Sequence, residues 1–138
     1  MKIILVSHGD FAHGLIKSYQ MIAGSAEHLS AIDLNEAGIA DFSQRLTTLL
    51  EKGTEGDQVI ILADLKGGTP YNESYRYFLS NSQNVRVLSG MNLPMLLEIG
   101  LSLSGDQTLD QLVAIGLAAG KAGIEEVAVD ETGTELEF

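Results

Sequence analysis

Two short runs of consecutive apolar residues constrain the fold of this chain more than any other feature of its sequence. Residues 3–6 read IILV and residues 59–63 read VIILA, with many β-branched side chains and no alternating polar position. A strand of this composition needs apolar cover on both faces, which is typical of the central strands of a parallel sheet. The sequence therefore predicts a sheet that lies between two layers of helices.

Helical patterns separate these two runs from further strand candidates. Strands and helices alternate about every 30 residues, which is typical of βαβ units and of an α/β fold with helices on both faces of a mostly parallel sheet. We expect one domain, residues 1–129, and an acidic C-terminal tail, residues 130–138, that forms a strand or a frayed end. The predicted strands are 2–7, 29–34, 58–64, 85–88 and a short fifth at 126–129, and the predicted helices are about 11–22, 39–50, 70–80, 94–103 and 109–120.

Several polar residues stand where helix caps belong. Asp10 and Thr69 precede the first and third helices and are predicted as N-caps, with Pro70 opening the third helix. Thr108 and Gln111 have the spacing of a capping box before the last helix. The third helix is predicted to bury one apolar stripe, formed by Tyr71, Tyr75, Phe78 and Leu79.

Charge and composition exclude several classes of protein. The net charge of −11 argues against a nucleic-acid partner or an anionic membrane surface, because both need a basic patch. It is compatible with a basic protein partner, although acidity also serves solubility alone. The chain has no cysteine, no apolar run of membrane-spanning length and no signal-peptide pattern at its start. We expect a cytoplasmic protein without disulfides or thiolate metal sites.

Chemistry-bearing residues follow the two apolar runs. His8 comes after the first strand, before a helix N-terminus, and Asp64 comes at the end of the third. If these strands are neighbours, as in the flavodoxin-like strand order 2-1-3-4, the two side chains meet beyond the carboxyl ends of the strands. Asp64 would then accept a hydrogen bond from one ring nitrogen and leave the other as a nucleophile. Taken singly, however, each residue is more often an ordinary loop or turn residue.

A phosphoryl group on the open ring nitrogen would need hydrogen-bond donors. The backbone amides of Gly9, Gly67 and Gly68 and the hydroxyl of Thr69 are candidate phosphate-binding groups. Neither a P-loop nor a G-x-G-x-x-G pattern is present, which disfavours nucleotide cofactors. Metal ligands do not converge in the sequence either, so we expect no metal and no cofactor.

Three motifs, VSHGDFAHGL, ADLKGGTPYN and SGMNLPMLL, together resemble the mannose-family (mannose, fructose, sorbose and N-acetylgalactosamine) enzyme IIA domains of the bacterial phosphoenolpyruvate-dependent sugar phosphotransferase system. The resemblance covers residues 1–129. It implies a flavodoxin-like three-layer sandwich with sheet order 2-1-3-4, and a fifth, antiparallel strand around Val127 that is exchanged in a homodimer. It also implies that His8 is the phosphorylated histidine, that Asp64 supports it, and that residues 67–70 lie near the phosphoryl group.

The resemblance further implies a reaction and partners. The protein would be a phosphotransferase component that accepts a phosphoryl group on His8 from the histidine-containing phosphocarrier protein. It would pass this group to enzyme IIB for sugar uptake through the membrane components IIC and IID. Two alternatives stay open, a non-catalytic regulatory module and the phosphotransfer subunit of a dihydroxyacetone kinase system. Lys66 stands where many members of the family have an aromatic residue, and it would alter partner contacts or add a cation near the phosphate.

Overall fold

Four parallel strands form the central sheet in the computed structural model, which describes residues 1–53 and 57–129. Each strand pairs only with parallel neighbours, and the order across the sheet is β2-β1-β3-β4. The predicted order 2-1-3-4 is therefore confirmed, and β1 and β3 lie side by side at its centre. The strands are β1 (Lys2–His8), β2 (Leu29–Leu34), β3 (Val59–Ala63) and β4 (Val85–Leu88).

Five helices cover both faces of this sheet within the described ranges. They are α1 (Phe11–Ala23), α2 (Ile39–Gly53), α3 (Thr69–Ser80), α4 (Leu93–Ser102) and α5 (Leu109–Ala122). Successive residues of β1 point to opposite faces, so that Ile3 and Leu5 join one apolar core while Ile4 and Val6 join the other. Helices α1, α4 and α5 close the first core and α2 and α3 close the second. None of these helices is both long and apolar enough to cross a membrane.

The predicted capping box of α5 is confirmed. The Thr108 hydroxyl accepts a hydrogen bond from the backbone N–H of Gln111 at 3.2 Å. The Gln111 side-chain oxygen accepts one from the backbone N–H of Thr108 at 2.8 Å. An equivalent signal at α4 escaped the sequence analysis, since Asn92 accepts a hydrogen bond from the backbone N–H of Met95 there.

The predicted N-cap position of α1 is confirmed, although another residue makes the capping bond there, and the predicted cap of α3 is wrong. Asp10 stands at the N-cap position of α1, but its side chain makes no capping hydrogen bond. The cap is supplied from the preceding strand, where the Ser7 hydroxyl accepts from the backbone N–H of Ala12 at 2.8 Å. At α3 the N-cap is Gly68, and Thr69 is already the first helical residue. This shift leaves the first turn of α3 without a side-chain cap.

The predicted buried stripe of α3 is also wrong in two of its four members. Tyr75 is 46% exposed and Leu79 is 60% exposed. The helix instead buries Ser74, whose hydroxyl donates to the carbonyl oxygen of Pro70 at 2.7 Å and so needs no water. The exposed ring of Tyr75 stacks on that of Tyr71, which packs against the core, with ring centroids 6.2 Å apart. The helical spacing of Tyr75 and Leu79 therefore did not indicate burial, although it is the spacing that core residues have.

Residues 124–129, described residues that follow α5, form neither a helix nor a strand within this single chain. Residues 124–129 are described, and Ile124, Val127 and Val129 are 77%, 96% and 96% exposed. The predicted fifth strand at 126–129 is therefore not formed inside the chain, and its exchange between two chains stays a prediction. The acidic tail, residues 130–138, lies outside the described residues.

Candidate functional site

His8 and Asp64 meet at the carboxyl edge of the sheet. His8 is the last residue of β1, and Asp64 directly follows β3. The backbone N–H of Asp64 donates to the carbonyl oxygen of Val6 at 3.2 Å, which extends the pairing of the two strands to this point. The His8 ring nitrogen Nδ1 then lies 2.7 Å from the Asp64 oxygen Oδ2.

The Asp64 carboxylate holds both the ring and the backbone of His8. The oxygen Oδ2 also accepts the backbone N–H of His8 at 2.9 Å. Because a carboxylate oxygen only accepts, Nδ1 carries the proton in this contact, and Nε2 of the neutral ring keeps its lone pair. The Asp64 side chain is 15% exposed and that of His8 is 48% exposed. The arrangement presents a half-exposed imidazole whose orientation is fixed from the protein interior.

Gly68 lies directly against the ring of His8. A Cβ atom at position 68 would be 2.8 Å from the ring atom Cε1 and 3.4 Å from Nε2. Because carbon atoms do not approach this closely, only glycine leaves the ring in its observed position. Gly67 has a φ of +85°, and the backbone N–H of Gly68 donates to the carbonyl oxygen of Leu65 at 3.2 Å. This turn brings the start of α3 to the imidazole.

Some of the predicted phosphate-binding groups already donate a hydrogen bond within the protein, and others have donors without a partner. The backbone N–H of Gly9 donates to the carbonyl oxygen of Leu34 at 2.9 Å, and that of Gly68 is used by the turn. Thr69 opens α3, so its N–H has no partner within the helix, and its hydroxyl has no hydrogen-bond partner among the described residues. A helix N-terminus favours an anion. The backbone N–H of Gly67 has no partner among the described residues either, so Gly67 and Thr69 are the predicted residues with donors still available.

Ser7 is a residue of the site region that the sequence analysis missed. It is completely buried, and in addition to capping α1 it donates to the carbonyl oxygen of Gly9 at 3.3 Å. It therefore fixes the loop that follows His8. The available signal was a hydroxyl at the end of an otherwise apolar run, since a buried hydroxyl needs hydrogen-bond partners.

A second charged cluster lies near this edge, around Asp33 of β2. The Arg45 guanidinium contacts the Asp33 carboxylate at 3.2 Å and that of Asp41 at 2.8 Å. His13 of α1 lies 3.5 Å from the same Asp33 oxygen. Burial raises the pKa of Asp33, but hydrogen bonds with Asn35, the backbone, His13 and Arg45 outweigh it and leave the pKa below its ordinary value of 3.8. Both basic side chains are thus engaged by carboxylates.

The chain is similar in sequence to components of the bacterial phosphotransferase system over the region that contains this site. Residues 2–115 match the family model EIIA-man, described as PTS system fructose IIA component, where PTS denotes the phosphotransferase system. The chain is 34% identical over 114 residues to the fructose-specific EIIA component of Bacillus subtilis (strain 168), covering 82% of this chain and 77% of that protein. It is 29% identical over 124 residues to the mannose-specific EIIAB component of Escherichia coli (strain K12), covering 89% of this chain. It spans 38% of the length of that relative.

A solved structure shows the same fold. The crystal structure of a phosphotransferase system component EIIA from Streptococcus agalactiae superposes with a TM-score of 0.80 and 32% sequence identity, and the match covers 91% of this chain and 95% of that one. The family model matches residues 2–115, and this region includes both strands that place His8 and Asp64. The chain belongs to the EIIA-man family of phosphotransferase system components.

Proposed function

We propose that this protein carries a phosphoryl group on His8 within a sugar phosphotransferase system. The contact of 2.7 Å between His8 Nδ1 and Asp64 is the observation that supports this proposal most. It occupies one nitrogen of the half-exposed ring and leaves Nε2 without a hydrogen-bond partner among the described residues. A nucleophile fixed by a carboxylate is the arrangement that covalent catalysis through histidine needs.

The proposed transfer proceeds between two histidines. The lone pair of His8 Nε2 attacks phosphorus in line with the donor's N–P bond, which breaks while the donor imidazole leaves with its electron pair. The Nδ1 proton stays in the contact with Asp64. The carboxylate therefore balances the positive charge that the phosphorylated ring acquires. Transfer to the acceptor repeats these steps in reverse.

Thr69 would receive the phosphoryl oxygens. Its hydroxyl and N–H have no partner among the described residues, and Gly68 keeps this helix N-terminus in contact with the ring. The N-terminal end of α3 also offers a favourable dipole for an anion. Gly67 and Gly68 would contribute the close backbone approach, and Gly9 the left-handed turn after His8, where φ is +54°.

We propose the histidine-containing phosphocarrier protein as donor and enzyme IIB as acceptor, with the membrane components IIC and IID further downstream. Membership of the EIIA-man family supports these partners, and they imply a cytoplasmic location. The net charge of −11 favours encounter with a donor that presents basic residues around its own histidine.

We also propose that the protein is a homodimer that exchanges the segment around Val127. Val127 and Val129 are apolar yet 96% exposed, and β4 lies at an open edge of the sheet. An exchanged strand would bury both. Sedimentation should give a dimer for the wild-type protein and a monomer for Val127→Pro, because proline cannot complete a strand ladder. A wild-type monomer would refute the exchange.

The function is tested by transfer of labelled phosphoryl groups from the phosphorylated phosphocarrier protein. We expect the wild-type protein to become labelled and His8→Ala to remain unlabelled. His13→Ala is the matched control, since it removes a second half-exposed imidazole near the same edge and should stay labelled. Label that survives His8→Ala, or that disappears in His13→Ala, would refute the assignment.

A further inference from the structure

We propose, on the basis of the phosphocarrier function above, that Lys66 supplies the positive charge that faces the phosphoryl group on His8. The lysine would contact the phosphoryl oxygens and determine how readily an anionic group is accepted at this site. Its placement in the turn, its lack of a carboxylate partner and the negative surroundings of His8 support this role.

The turn between β3 and α3 brings Lys66 close to the imidazole. The hydrogen bond from the Gly68 N–H to the Leu65 carbonyl oxygen closes a four-residue turn, in which Lys66 is the second residue. The last residue of the turn, Gly68, lies so near the ring of His8 that a Cβ atom there would be 2.8 Å from Cε1 and 3.4 Å from Nε2. The side chain of Asn72 donates to the Gly67 carbonyl oxygen at 3.0 Å and holds the turn in this position.

The distance from Lys66 to the phosphoryl position is within reach of a lysine side chain. Consecutive Cα atoms are about 3.8 Å apart, so the Cα atoms of Lys66 and Gly68 are separated by at most about 7.6 Å. A lysine side chain has four flexible methylene groups and carries three donors at its end. Since Lys66 is exposed, its ammonium group can move to the open side of the ring without losing a buried contact.

Lys66 is also available, whereas the other cations near this edge are engaged. Among the described residues, no carboxylate forms an ion pair with Lys66. Arg45 and His13 both contact Asp33, as described above. The phosphoryl group therefore meets one uncommitted cation in the loop that supports its own histidine.

The site needs such a charge because its surroundings are acidic. Asp64 lies 2.7 Å from the ring, Asp10 follows two residues after His8, and the chain carries a net charge of −11. A phosphoryl group adds about two further negative charges at neutral pH. One exposed ammonium group in contact with these charges, screened by water and by salt, corresponds to roughly a three- to tenfold change in transfer rate.

The test compares Lys66→Met, which keeps the length of the side chain and removes its charge, with Lys66→Arg. Lys2→Met is the matched control, since it makes the same charge change at the opposite end of β1, about 20 Å from His8. The initial rate of transfer from the phosphorylated phosphocarrier protein is measured at low and at high salt. We expect Lys66→Met to be about three- to tenfold slower at low salt, with most of the difference lost at high salt, and Lys66→Arg and Lys2→Met to be near wild type.

Different outcomes separate this inference from the function on which it depends. If the wild-type protein accepts label on His8 but Lys66→Met matches it at low salt, the role of Lys66 is refuted and the carrier function stands. A deficit that does not respond to salt, or one shared by Lys66→Arg, would also refute the electrostatic role, because it would indicate a structural defect of the turn. If the wild-type protein accepts no label at all, the carrier function itself fails.

Discussion

Replacement of Asp64 by asparagine removes the charge that orients His8 while it preserves the shape of the side chain. In the wild-type protein the oxygen Oδ2 accepts the ring N–H at 2.7 Å and the backbone N–H at 2.9 Å, both from His8. The other oxygen, Oδ1, is buried and has no hydrogen-bond partner among the described residues. An asparagine can keep its oxygen toward His8 only by placing its amide N–H₂ in this buried position.

The weakened ring contact sets the lower limit of the expected loss of rate. A hydrogen bond to a charged group contributes about 1.5–3 kcal/mol and a neutral one about 0.5–1.5 kcal/mol, so the substitution weakens the ring contact by about 1–2 kcal/mol. The carboxylate also balances the positive charge of the phosphorylated ring, which asparagine does not. With about 1.4 kcal/mol for each factor of ten, the weakened ring contact should slow transfer to His8 by roughly 5- to 30-fold, and the lost charge balance should slow it further.

Rapid-quench measurement of transfer from the phosphorylated phosphocarrier protein gives this rate for the wild type, Asp64→Asn and Asp64→Ala. We expect both variants to be slow but active, because His8 remains and its side chain is half-exposed. Asp10→Asn is the control, since it removes the same charge two residues after His8 from a side chain that makes no capping bond. A rate for folded Asp64→Asn within about twofold of the wild type would refute the orienting role.

Three further substitutions test packing and charge. Gly68→Ala fits the backbone, where φ is −75°, but its Cβ displaces the imidazole of His8. The transfer rate should therefore fall at least about tenfold while the thermal midpoint of unfolding stays near that of the wild type. A normal transfer rate would contradict the close approach of position 68 to the ring. Gly100→Ala would drive a Cβ into the ring of Tyr19 and should cost about 1–3 kcal/mol in urea denaturation, and an unchanged midpoint would refute this packing. Asp33 has a lowered pKa, so its carboxylate stabilises the fold above pH 3.8 and loses this contribution as the pH falls through its folded pKa. Asp33→Asn should therefore be less stable than the wild type at about pH 7 and approach it at about pH 3, and a constant difference would contradict this linkage.

The central strands and the position of His8 and Asp64 at one edge of the sheet could be reached from the sequence because they depend on short-range signals. An unbroken apolar run requires cover on both faces, and the polar residue that ends each run must lie at the carboxyl edge of a parallel sheet. The strand order could not be obtained in this way, because no local pattern shows that β1 and β3 are neighbours. The resemblance to a known family supplied that order, and the sheet confirms it.

The cap of α1, the cap of α3 and the exposed face of α3 could not be predicted because they depend on tertiary geometry. Ser7 caps α1 from within a strand, which the spacing rules for helix N-termini do not consider. Thr69 is not the N-cap that the sequence predicted, because the tight turn before it places Gly68 at this position. The contact between Gly68 and His8 joins residues 60 positions apart, so no reading of either motif alone could show it.

The position of the phosphoryl group on the imidazole tests the central claim most directly. The protein is labelled with ¹⁵N-histidine and phosphorylated by the phosphocarrier protein, and its ring nitrogens are assigned by long-range ¹H–¹⁵N correlation with coupling to phosphorus. The contact of Nδ1 with Asp64 predicts that phosphorus is bonded to Nε2 of His8 and that Nδ1 keeps its proton. Phosphorus on Nδ1 of His8, or on His13 or His28, would contradict the proposed site.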